Sequence, residues 1–214
     1  MKKIILTLFL IFIATNAFAS DTQNLSSDEA LLKLKQGNKH FASSRLKHPD
    51  ESHHRRDELV KGQHPFAAIL SCSDSRVPTE IIFDQGLGDI FTIRNAGNVL
   101  DEHILGSIEY AVEHLGINLV VVMGHESCGA IEAAMSKHHD TKAIESLKKS
   151  IEPAICECKR TNTYTYENVI KTHAKLDVEN ILKDKDLCDY IAKHNVKIIP
   201  AYYHLNTGKV EFLN

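Results

Sequence analysis

Apolar positions along this chain follow two alternating rhythms. Short unbroken apolar runs at residues 66–71 (FAAILS), 90–93 (IFTI) and 119–123 (LVVVM) are bounded by Pro, Gly or polar residues, the pattern of strands buried on both faces. Between the second and third runs, Leu105, Ile108, Val112 and Leu115 recur at helical spacing until Gly116. Helical segments are expected again at residues 144–158 and 166–182, and another begins near residues 127–129. Ser26 and Glu29 stand at capping-box spacing and open a helix through Ala30, Leu31 and Leu34 toward Gly37, ending by about Phe41. Residues 43–61 are polar and rich in His and Arg, with Pro49 as a breaker, and predict a loop with room for one short helix. Pro78 suits the first turn of a short helix that Gly86 or Gly88 stops. Residues 196–203 and 210–213, joined by Asn206-Thr207-Gly208, predict a closing hairpin. Together these elements predict an α/β fold: a mostly parallel central β-sheet flanked by helices, with a C-terminal antiparallel hairpin strand.

The first nineteen residues break this pattern. Lys2 and Lys3 precede an apolar run over residues 4–14, and Ala17-Phe18-Ala19 follows, the layout of a secretory signal peptide. The run is short of the ~20 residues that a membrane-spanning helix needs. Cleavage before Ser20 is therefore expected, leaving residues 20–214 as a single domain in the periplasm, free of the membrane. Composition adds exclusions rather than an identity. With 43% apolar and 25% charged residues, disorder is out, and a net charge of −3 without a basic run gives no nucleic-acid footprint. Five cysteines are too few for a disulfide-dense scaffold.

Chemistry gathers where two strands finish, the usual place for function in a parallel sheet. The run at 66–71 leads into Ser71-Cys72-Ser73-Asp74-Ser75-Arg76, and the run at 119–123 leads into Gly124-His125-Glu126-Ser127-Cys128-Gly129. If those strands are neighbours, Cys72, His125 and Cys128 meet although 53 residues separate the first two. Two thiolates and an imidazole suit zinc, and three protein ligands leave a fourth position, as catalytic sites do. Taken alone, a Cys after a buried strand is more often a small apolar residue, and spacing by itself leaves both readings open. Thirteen histidines include His53, His54, His138 and His139, which read as solvated loop or helix-end residues. Cys158 continues the apolar stripe of Leu147, Ile151 and Ile155, while Cys156 points elsewhere. A Cys158–Cys188 bridge is the first choice among the remaining thiols, with three reduced cysteines as the alternative.

The sequence Cys72-Ser73-Asp74-Ser75-Arg76 with His125-x-x-Cys128-Gly129 resembles the β-class carbonic anhydrases, and both motifs are specific to that family. Further blocks follow in family order: Gly37-Asn38 with Phe41, Gln63-x-Pro65-Phe66, Arg94-Asn95-Ala96-Gly97-Asn98, Ser107-Ile108-Glu109-Tyr110-Ala111, and Tyr202 through Thr207-Gly208-Lys209-Val210. The resemblance implies zinc-dependent reversible hydration of carbon dioxide to bicarbonate and a proton by a zinc-bound hydroxide, with one Zn2+ per subunit on Cys72, His125 and Cys128. It assigns Asp74 to orienting that hydroxide and Arg76 to holding Asp74 ionised, and near neutral pH it implies a site in which Asp74 pairs with Arg76. It places Gln63, Phe91, Tyr110 and Gly129 around the substrate, in a homodimer or a multiple of dimers with the cleft at the interface. Where many relatives carry Val-Ala, this chain has Ala96-Gly97, which alters the expected cleft shape. A zinc-binding module without turnover, or a family member acting on a CO2-like substrate such as carbonyl sulfide, is the alternative.

Overall fold

The apolar runs become neighbours in one sheet. The computed structural model describes residues 25–214, so the leader expected over residues 1–19 lies outside them. In chain order the elements are α1 (Ser27–Ala42), α2 (His53–Leu59), β1 (Ala67–Cys72), α3 (Thr79–Ile82) and β2 (Ile90–Asn95), then a 3-10 turn (Ala96–Asn98). They continue with α4 (Glu102–Glu109), widened into a π-turn over Tyr110–His114, then β3 (Leu119–His125), α5 (Gly129–Met135), α6 (Lys142–Arg160), α7 (Tyr166–Leu182), α8 (Cys188–His194), β4 (Lys197–Tyr203) and β5 (Val210–Phe212). The strands lie in the order β2-β1-β3-β4-β5. The first four pair in parallel, and only β5 runs antiparallel, against β4.

β1 and β3 occupy the middle and are buried along their whole length, which explains why their sequences are unbroken apolar runs. One face of the sheet, through Leu70, Val120 and Val122, packs on Ile108 and Val112 after β2 and on Val178 and Ile181 of α7. The other face, through Ile69, Val121 and Met123, packs on Ala30 and Leu34 of α1 and on Ile82 and Phe83 at α3. A third cluster caps the carboxyl ends of the strands, where Ile131, Ile151, Ile155, Val169 and Ile170 of α5–α7 close over Cys72 and Cys128. Among the described residues, no helix is long and apolar enough to cross a membrane.

Local details depart from the sequence expectations for steric reasons. The capping box at Ser26 and Glu29 forms, with both reciprocal hydrogen bonds present. The helix α1 runs through Gly37 to Ala42, within a residue of the expected end near Phe41. A Cβ at position 37 would lie 1.6 Å from the Phe83 carbonyl oxygen, so this glycine permits close approach of α1 to the end of α3 and does not stop the helix. Likewise α3 ends at Ile82, ahead of Gly86, whose own role is to let Pro49 pack against its backbone. The seven-residue α8 had no clear periodic signal. The Cys158–Cys188 bridge is absent: both residues are free thiols, Cys158 buried in α6 with its Sγ donating to Thr172 Oγ1 at 3.3 Å, and Cys188 at the start of α8.

Candidate metal centre

Parallel pairing of β1 with β3, with Ser71 opposite Met123, brings the ends of both strands together. Cys72 is the last residue of β1 and His125 the last of β3. Ser127 takes a left-handed φ of 55° and turns the chain so that Cys128 becomes the N-cap residue of α5. The ligand-type atoms of Cys72, His125 and Cys128 consequently lie within 4.8 Å of one another, and all three residues are buried.

Their hydrogen bonding shows what the cluster lacks. The His125 ring is fully enclosed, and its Nδ1–H donates to the Glu126 carbonyl at 2.8 Å. That fixes the tautomer and leaves Nε2 as a bare lone pair, and Nε2 has no hydrogen-bond partner. A buried polar atom without a partner costs about 1–3 kcal/mol; a metal ion removes the deficit. The thiols are prepared too. The neighbouring Cys128 thiol and the Gly97 N–H hold Cys72 well below its ordinary thiol range, while the same thiol–thiol contact pushes Cys128 up. One imidazole nitrogen and two sulfurs form a donor set that fits zinc and leaves a fourth position open.

Beside this cluster Asp74 and Arg76 form a bidentate pair. Asp74 Oδ1 accepts from the Arg76 backbone N–H and Nε, both at 2.9 Å, and Oδ2 accepts from Nη2 at 2.7 Å. These bonds, above all those from the guanidinium, hold the Asp74 carboxyl far below the usual carboxylate range. The same Oδ2 stands 3.9 Å from His125 Nε2, so the carboxylate borders the open side of the cluster. Arg76 Nη2 also donates to the Ser127 carbonyl at 3.0 Å, joining the two motifs across 51 residues of chain.

Three further residues support the centre without having been singled out in the sequence for that role. Arg94 on β2 donates to the carbonyls of Cys72 and Asp74 at 3.0 and 2.7 Å. The Tyr166 hydroxyl donates to the Cys128 carbonyl. His173 lies behind the Ala96–Asn98 turn. Arg94 stands in a block already noted for the resemblance, and its in-register pairing with Ser71 is what aims it. Nothing local to Tyr166 signals its role, which depends on where α7 docks.

The residues expected around a substrate divide into two groups. Gly129 follows Cys128 directly at the start of α5, exposed at the metal end. Gln63 precedes β1 and is exposed at the opposite end of the sheet. Phe91 pairs with Ala68, four residues short of Cys72, or ~13 Å along the strand. The Phe91 and Tyr110 rings meet at a tilt with centroids 6.1 Å apart, and Tyr110 is 46% exposed. Within one subunit, then, Cys72, His125, Cys128, Asp74, Arg76 and Gly129 are brought together, while Gln63, Phe91 and Tyr110 are not among them.

A family model described as carbonic anhydrase matches residues 67–210. Carbonic anhydrase 2 of Mycobacterium tuberculosis is 38% identical over 181 residues, covering 82% of this chain and 87% of that protein. The carbonic anhydrase of Mycolicibacterium smegmatis is 36% identical over 187 residues, covering 83% and 89%. Among solved structures, a β-carbonic anhydrase of Aspergillus fumigatus superposes with a TM-score of 0.70 at 24% identity, covering 87% of this chain and 90% of that one. A tetrameric β-carbonic anhydrase of Sordaria macrospora does so with a TM-score of 0.67 at 25% identity, covering 84% and 94%.

Proposed function

This chain belongs to the β-class carbonic anhydrases, zinc enzymes that interconvert carbon dioxide and bicarbonate, and on that premise we propose a role for each residue of its site. Cys72, His125 and Cys128 hold one zinc per subunit, and the observation that carries this reading is the buried, unpartnered His125 Nε2 inside the cluster. When bound, the metal supplies a water acidified toward pKa ~7 as the nucleophile for carbon dioxide. Asp74 Oδ2, 3.9 Å from His125 Nε2, would be the acceptor that orients a proton-bearing ligand at the open side of the cluster. Arg76 keeps Asp74 ionised and, by engaging both of its oxygens, draws it away from ligation, so that the fourth position stays open near neutral pH. A purely structural zinc would have four protein ligands; among the described residues the cluster offers three.

Gln63, Phe91 and Tyr110 serve the substrate from a second copy of the chain, because within one subunit they lie away from the metal end; Gly129 contributes backbone contact from the metal side. The assembly is a homodimer or a multiple of dimers, in keeping with the tetrameric relative from Sordaria macrospora. The leader over residues 1–19 sends the protein to the periplasm, a reading supported by Lys2, Lys3, the short apolar run and the Ala17-Phe18-Ala19 site. Metal analysis tests the centre: Cys72→Ser, His125→Ala and Cys128→Ser should each lose zinc, because each removes one of three ligands. Full zinc occupancy in all three variants would overturn the ligand set.

A further inference from the structure

We infer that His173 is a positioning residue for the zinc ligand Cys72, acting through Gly97; the inference rests on the ligand assignment above. His173 lies on the buried face of α7, 2% exposed, among Val169, Ile170 and Ala174. A polar ring on that face needs a specific partner, and it has one: Nε2 lies 3.0 Å from the Gly97 carbonyl oxygen. A carbonyl only accepts, so the ring carries its proton on Nε2. On its other side Gly97 turns its N–H to Cys72 Sγ at 3.3 Å. The two polar groups of one glycine therefore link a buried histidine to a metal ligand.

The glycine makes this link matter. Gly97 sits at φ 74° and ψ 17°, and a Cβ there would come within 2.8 Å of Ala130 Cβ. Without a side chain its two dihedrals are soft, so the direction of the N–H toward sulfur is not secured by its own sterics. The hydrogen bond to its carbonyl pins the peptide plane on the far side of its Cα and so limits how far the turn can swing the N–H away from sulfur. Burial holds the His173 imidazole down to about 4, so the ring is a fixed neutral donor over the working pH range. Asp177, one turn along, places Oδ2 3.4 Å from the same Nε2 and has no hydrogen bond of its own to that oxygen. Its carboxyl is pushed up to about 8 by burial and stays uncharged near neutral pH. An N–H directed at a ligand sulfur orients the thiolate and moderates the charge it gives the metal, and loss of such outer contacts typically costs 10–100-fold in metal affinity.

The test compares His173→Leu, which removes the donor at similar volume, with His173→Gln, which keeps an N–H donor. Zinc release to a chelator and the thiolate-to-cobalt charge-transfer band of the Co(II)-loaded protein are read beside thermal unfolding. In His173→Leu, zinc should leave about tenfold faster and the band should move from its wild-type position; His173→Gln should restore both. Wild-type release and band position in a folded His173→Leu would overturn the inference, as would equal destabilisation of both variants with the band unmoved. Should His173→Leu not fold, 15N NMR of the wild-type histidine rings decides: an Nε2–H tautomer at His173 is expected, and an Nδ1–H tautomer or an imidazolium at neutral pH overturns the relay. Failure of the ligand assignment itself is distinguishable, because the wild-type Co(II) protein would then show no thiolate band.

Discussion

Asp74 and Arg76 divide one task between them at the scale of single residues. In the proposed site the carboxylate has to stay charged and turned to the open side of the cluster, and Arg76 secures both with three hydrogen bonds, two from its guanidinium and one from its backbone N–H. Asp74→Asn should keep its zinc and lose roughly 10–100-fold in hydration rate, since an amide cannot accept on both atoms. Arg76→Ala should act in the same direction through Asp74. Stopped-flow hydration at matched zinc content checks both, and wild-type rates in the pair would reduce it to a surface ion pair of little worth. These residues were legible in the sequence because each stands at a fixed, short spacing after a strand. Arg94, Tyr166 and His173 were not, because register and helix docking, rather than local spacing, bring them to Cys72, Cys128 and Gly97.

At the scale of elements, two close contacts hold the N-terminal third of the domain against the sheet. The first is Gly37, where α1 rests on the Phe83 carbonyl. Gly37→Ala should force the helix outward and cost about 3 kcal/mol or more, at or beyond the usual range for overpacking, read as a lower denaturant midpoint. The second is Asp84, which accepts from the backbone N–H groups of Lys47 and His48 at 3.0 and 3.1 Å and from His40 Nδ1 at 3.0 Å. Burial pushes this carboxyl up, but those donors together outweigh it and hold it below the ordinary carboxylate range. Its contribution is therefore present above the unfolded value of ~3.9 and is lost as pH falls through the lower native value. Asp84→Asn should be less stable than wild type by about 1–3 kcal/mol at pH 7, with the gap narrowing below pH ~4. A gap that does not change between pH 7 and 3 would show that the charge is immaterial. Helix rhythm revealed α1, α6 and α7, whose amphipathic faces are long; the seven-residue α8 carries too few turns to show a period. Gly86 misled at α3 because a glycine demanded by tertiary contact looks the same in sequence as one that stops a helix.

For the molecule as a whole, the parallel sheet was legible because its central strands are buried on both faces, and the hairpin was legible from its turn residues. Strand order was not explicit in any run, yet it is strand order that sets Cys72 beside His125. One subunit leaves Leu32, Ile81, Leu87 and Tyr110 exposed, while Gln63 and Phe91 lie away from its own metal end. A second copy, as proposed, would cover both, so light scattering at micromolar concentration should report a dimer or a multiple of dimers, and a stable, active monomer would contradict the shared cleft. The central claim is that hydration depends on zinc at Cys72, His125 and Cys128. It is tested most directly by stopped-flow pH-indicator measurement of CO2 hydration on the purified protein as zinc is stripped and restored. Activity should vanish with the metal and return in proportion to it, saturating at one zinc per subunit; activity that survives removal of the zinc, or that stays absent at full occupancy, would contradict the claim.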